Sequence, residues 1–168
     1  VEVMSLMTNL ILIMNNINKQ IKQKTMLAIE DLLGKTEAEI KGHLVRRYSE
    51  YDTAEDMQFV SEQLEKLDIL IAYESVGSWG CDSTSFFVFR NRETGVMYEM
   101  HGSHCSCYGF EGQFRLEETS IEALKCRVEN ARGKDEDEED QHTIFCLGGY
   151  DSDATNNAKV VNNYIINL

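Results

Sequence analysis

At 168 residues, 42% hydrophobic and 27% charged, the chain has the size and composition of one globular domain rather than a collagenous or wholly disordered one. It carries 29 Asp and Glu against 16 Lys and Arg, a net charge of −13, which speaks against a non-specific grip on nucleic-acid phosphates. Such a chain suits a basic partner instead, including one whose basic surface normally holds nucleic acid.

Residues 3–14 (VMSLMTNLILIM) are strongly apolar. Glu2 is acidic, no positive n-region precedes the run and no A-x-A-like cleavage site follows, so it is read as a buried or partner-bound helix rather than a signal peptide. The run is also too short to span a bilayer. Val3, Met7, Leu10, Met14, Ile17 and Ile21 keep 3-4 spacing, and the pattern predicts an apolar N-terminal helix over 1–33, closed by Gly34 as C-cap. The segment is one long helix or two with a break near Lys24, and its stripe reads first as packing on its own domain, the alternative being an interaction element that pairs with a second copy, as a homodimer, or with a partner.

Thr36 with Glu39 forms a capping box and opens a helix over 37–50, with Ile40, Leu44 and Val45 on one side. Thr53 with Asp56 opens another to about Leu67, its apolar positions Met57, Val60, Leu64 and Leu67. The period then changes. Residues 69–76 (ILIAYESV) read as a strand, and 84–90 and 95–101 as a hairpin around Asn91–Gly95. Alternation puts Phe87 and Phe89 on one face and Phe86 and Val88 on the other, so this pair is central, with apolar neighbours on both sides. A short strand at 113–116, a helix at 120–132 capped by Thr119 with Glu122, a strand at 143–147 and a C-terminal helix capped by Asp153 complete the reading. No linker or repeat divides the chain. The expected fold is one α+β domain over 1–168: a helical N-terminal part on a small, mainly antiparallel sheet, with a C-terminal helix.

Five cysteines, an odd number in a chain large enough to need no staples, favour a reducing compartment, with Cys126 and Cys146 read as buried small apolar residues. The densest chemistry lies in one loop: His101, His104, Cys105, Cys107, Tyr108, Phe110 and Glu111. His101, His104, Cys105 and Cys107 are the types of side chain that zinc accepts. Their spacing is a poor zinc pattern, because Cys105 and Cys107 are too close for a knuckle and His104 and Cys105 are adjacent. A lowered-pKa thiolate next to His101 or His104 is the other chemical reading, although cysteine hydrolases draw their His from elsewhere in the fold. The reading preferred is a tight structural loop anchored by Tyr108 and Phe110, with no catalytic residue and no cofactor, zinc being the alternative.

The stretch His101 to Phe114 (HGSHCSCYGFEGQF), followed by Glu117 to Leu124 (EETSIEAL) and by Gly148 to Asp151 (GGYD), resembles a family of small proteins encoded by bacteriophages and prophages. The resemblance spans roughly residues 69–151 and omits the apolar N-terminus. It implies a phage setting and a soluble protein of the host cytoplasm, and no reaction.

Asp135, Glu136, Asp137, Glu138, Glu139 and Asp140 form a solvated acidic run, the candidate contact for a basic partner, with Glu117, Glu118, Glu122 and Glu129 near it. No P-loop, dinucleotide fingerprint, HExxH or GxSxG occurs. The expected function is therefore a small acidic accessory protein that binds and modulates or inhibits a host protein, without touching nucleic acid or membrane itself. The alternative is a zinc module or thiol-dependent enzyme built on His101, His104, Cys105 and Cys107.

Overall fold

The computed structural model describes residues 26–50, 53–77, 82–132, 145, 147 and 153–168. Among these residues five strands form one sheet in chain order: β1 (Leu27–Glu30), β2 (Leu67–Ser75), β3 (Ser83–Asn91), β4 (Met97–His104) and β5 (Glu117–Thr119). β1 runs parallel to β2, and every other pairing is antiparallel. Among the described residues four helices cover the sheet: α1 (Glu37–Tyr48), α2 (Ala54–Glu65), α3 (Ile121–Arg132) and α4 (Ala154–Ile166). The α+β class is as expected.

The two faces of the sheet carry separate cores. On one, Ile40, Leu44 and Tyr48 of α1 and Val60 and Leu64 of α2 pack on Ala72, Phe87, Phe89 and Met100. On the other, Leu124 and Val128 of α3 and Ala158, Val161 and Ile165 of α4 pack on Ile71, Tyr73, Phe86 and Val88, together with Phe145 and Leu147. The expected split of Phe87 and Phe89 from Phe86 and Val88 is present, and β3 is the central strand. In β2 the register slips between Ile69 and Ile71, so Leu70 and Ile71 both face the α3–α4 side while Ile69 and Ala72 face α1 and α2.

Local signals placed most of these elements. Thr36 and Glu39 make the reciprocal capping box, Thr53 accepts from the Asp56 amide and Asp153 from the Asn156 amide. The hairpin turns at Gly95, whose φ of +75° suits glycine, and Asn91 Oδ1 accepts the amides of Glu93 and Thr94 at 2.9 and 3.0 Å.

Several expectations are corrected. The N-terminal helix over 1–33 lies outside the described residues up to 25, and its last part is not helical: Leu27–Glu30 is the edge strand β1. Leu27 and Ile29 face one core and Ala28 the other, a two-residue period that the free edge of β2 completes. Gly34, with φ of +78°, closes a turn rather than a helix. Leu67 begins β2 instead of ending α2. Residues 113–116 are not a strand; the pairing with β4 falls on Glu117–Thr119. Thr119 is therefore in β5, and Ser120 Oγ takes over the start of α3 by accepting the Ala123 amide at 3.1 Å. Phe145 and Leu147 are core residues outside any strand, and the rest of 143–147 lies outside the described residues.

Candidate functional site

The Cys/His-rich segment leaves the end of β4 and folds back so that Phe110 joins the core on the α1–α2 face of the sheet. Gly102 makes this possible. A Cβ there would stand 2.5 Å from Ser85 Oγ and 2.9 Å from Phe110 Cδ1, so only a hydrogen lets the Phe110 ring settle on the strand. Phe110 is fully buried and stacks on Tyr48, with ring centroids 4.8 Å apart. His104 meets the Phe110 ring edge-on at 4.5 Å, and the Arg47 guanidinium lies over it at 5.7 Å. Burying a phenylalanine side chain is worth roughly 1.5–3 kcal/mol, which makes Phe110 the main anchor of the loop. Gln113 closes the loop's base. Its carboxamide accepts the Ser103 amide at 2.9 Å and donates to the carbonyls of Ser103 at 2.9 Å and Gly109 at 3.1 Å. The Gly112 amide donates to the Ser49 carbonyl at 3.3 Å, tying the loop to the end of α1.

Within this frame Cys105, Ser106, Cys107 and Tyr108 form an exposed tip. Tyr108 was expected as an anchor, yet it is 82% exposed: Phe110 takes the available apolar site and the tip projects beyond it. Cys105 and Cys107 are free thiols. The Cys105 thiol sits below its usual pKa range, chiefly because the Cys107 amide donates to the sulfur, with the Cys107 thiol adding to it. The negative charge of Asp82 opposes this effect. His104 does not face the thiols as a base; its Nδ1 is 3.0 Å from the Cys105 carbonyl oxygen and its Nε2 is buried. Glu111 is exposed beside the loop.

His101 lies on the other side of the sheet. It is three residues from His104 along a strand, so the two rings point to opposite faces. His101 packs against Phe86 at 4.9 Å, near the Arg127–Glu99 ion pair. Burial holds its pKa below the usual imidazole range, while Glu99 pulls the other way. The structure thus leaves Cys105 and Cys107 both exposed on the tip and does not bring His101 and His104 to one point. Among the described residues no three His, Cys, Asp or Glu side chains stand where they could hold one ion. Cys126 is exposed on α3, contrary to the expectation of burial, because Leu124 and Val128 form the buried stripe of that helix and Cys126 falls between them. Glu117, Glu118, Glu122 and Glu129 are exposed, whereas Asp135 to Asp140 and Cys146 lie outside the described residues.

One polar cluster went unread in the sequence. Glu74, 1% exposed, projects from β2 beneath α1. His43 Nε2 lies 2.9 and 3.0 Å from its two carboxylate oxygens, and Tyr48 donates its hydroxyl to Oε2 at 2.7 Å. Burial and then the charge of Glu74 push the Tyr48 hydroxyl well above its usual range, so it stays a donor. The available signal was a single acid inside the apolar run 69–76. His43 also lines an open depression of about 320 Å³ with Lys35, Ala38, Glu39, Gly42 and Arg46. Among the described residues no hydroxyl or thiol lines that depression. The cluster reads as a satisfied buried network, linked through Tyr48 and Phe110 to the loop.

No family model, curated protein or solved structure matches the chain. No helix among the described residues is long and apolar enough to cross a membrane.

Proposed function

We propose that this chain is a small acidic accessory protein that binds another protein, using the tip Cys105–Tyr108 as its recognition element. The observation that carries the reading is the contrast within one loop: Phe110, Gly102 and Gln113 fix its base, while Tyr108 stands 82% exposed. An exposed tyrosine on a braced loop is a low-entropy contact residue of the kind that dominates protein interfaces. The net charge of −13 favours a basic partner, including a host protein whose basic surface holds nucleic acid, and the resemblance of residues 101–124 to phage-encoded proteins supplies the host setting. In this reading the protein occupies its partner in the cytoplasm of an infected cell and carries out no chemistry.

The test is capture from extracts of infected host cells on the immobilised full chain, with Tyr108→Ala as the matched control. A host protein held by the wild type, released as salt rises and lost on Tyr108→Ala would support the reading. Equal retention by the variant, or salt-insensitive retention, would overturn the assigned surface. Direct binding of purified chain to DNA or RNA at physiological salt would overturn the acidic-partner reading as a whole.

A further inference from the structure

We propose that the cleft where α2 and the end of α1 meet the loop after β4 is a subsite for an arginine side chain of the protein partner. The inference rests on the partner-binding reading above and names the residue that the partner presents. The cleft has a volume of about 100 Å³. Phe59 and Val60 of α2 line it together with Gly112 and Phe114 of the loop, and Glu50 and Asp56 add two carboxylates. The Gly112 amide donates to the Ser49 carbonyl at 3.3 Å, which draws the loop against the end of α1. A Cβ on Gly112 would stand 3.6 Å from Glu50 Cγ, so the loop backbone runs directly beside that side chain. Thr53 donates its hydroxyl to Asp56 Oδ2 and accepts the Asp56 amide, which pins the second carboxylate at the start of α2. Phe59 follows Asp56 by three positions and so shares its face of the helix.

Size and lining select the occupant. Sites for whole cofactors or drug-sized ligands run to roughly 300–1,000 Å³. A cleft of about 100 Å³ takes one side-chain head instead. Phe59 stands 59% exposed and Phe114 is partly buried against the α1–α2 core, so the lining offers aromatic surface beside two carboxylates. A guanidinium uses both: its flat face stacks on an aromatic ring, and its N–H groups donate in pairs to a carboxylate. An ammonium carries the same charge without the plane. The net charge of −13 favours approach of a cation in either case, so the aromatic residues are what distinguish arginine from lysine. Gly112 and Phe114 belong to the loop that carries Tyr108, and one loop therefore presents both the tip and a wall of the cleft.

The test is titration of the isotope-labelled full chain with N-acetyl-arginine amide, followed by backbone amide NMR at about 0.15 M salt. The lysine amide serves as the equally charged comparison and the citrulline amide as the neutral one of the same shape. The expected result is saturable shifts at Glu50, Asp56 to Val60 and Gly112 to Phe114 with the arginine amide, weaker binding of the lysine amide and none of the citrulline amide. Glu50→Lys and Phe59→Ala, both at exposed positions, should each weaken arginine binding by about 2–5-fold, the size of a surface ion pair or a half-exposed cation–π contact. The amide spectrum of each variant shows that its fold is kept. No saturable shift, shifts confined to other residues, equal binding of the lysine or citrulline amide, or wild-type affinity in either variant overturns the subsite. The titration needs no host protein, so its failure is separate from failure of the partner reading. Capture of a host protein without arginine binding overturns the cleft alone, and arginine binding as expected beside an empty capture overturns the partner reading alone.

Discussion

The rings of Tyr48 and Phe110 lie nearly parallel, 4.8 Å apart and inclined by 10°. Tyr48 also donates its hydroxyl to the buried Glu74. One side chain of α1 therefore holds the loop through its face and the central sheet through its oxygen. Replacing Phe110 by Ala should remove about 3–5 kcal/mol of stability, measured by denaturant unfolding, since the ring is fully buried between Tyr48, His104 and Gly102. Phe110→Leu should recover much of that loss. An alanine variant within 1 kcal/mol of wild type would mean the loop is not anchored there.

Two glycines should respond with opposite sign. Gly102→Ala places a methyl against Ser85 and Phe110 and should destabilise by about 1–3 kcal/mol. Gly42 sits inside α1, where among the described residues an added Cβ meets only the Arg46 guanidinium at 3.4 Å. Gly42→Ala should therefore stabilise by up to about 1 kcal/mol through helix propensity. Thermal unfolding of the two single variants decides; shifts of the same sign would contradict the packing described for Gly102.

The Glu74 network predicts strong coupling. Glu74→Gln removes a charge that accepts from His43 and Tyr48 and should cost about 1.5–3 kcal/mol. Tyr48→Phe made alone leaves His43 as the remaining partner of the carboxylate. A double-mutant cycle between positions 48 and 74 should give a coupling of about 0.5–3 kcal/mol. Additive effects would show that the 2.7 Å contact carries no net energy.

Acid should weaken the fold through His101. Burial lowers its folded-state pKa, so below the ordinary imidazole value near 6.5 the unfolded chain binds the proton more readily. Stability is fully present above that value and is lost as pH falls through the lower folded pKa, at no more than about 1.4 kcal/mol per pH unit for this one group. The groups around it are Glu99 and Glu117, which raise its pKa, Arg127, which lowers it, and the Phe145 backbone. His101→Phe should flatten the dependence between pH 7.5 and 5. Stability curves of unchanged slope in the variant would assign the effect elsewhere.

What the chain determines by itself is local. A capping box needs only Thr36 and Glu39 three positions apart, and the hairpin needs only β-prone arms with Asn91 and Gly95 between them; both formed where the residues stand. The two-faced character of β3 was equally legible, because strand side chains alternate whatever the partner. Tertiary structure decided the rest. Leu27–Glu30 is a strand because β2 offers an open edge, an interaction across some forty residues that no window of the sequence contains. Glu74 is an ordinary acid until α1 lays His43 and Tyr48 over it. The Cys/His loop divides for the same reason. The step from His101 to His104 along β4 sends one imidazole to each core, while Gly102 admits Phe110 to only one of them, leaving the tip from Cys105 to Tyr108 outside both.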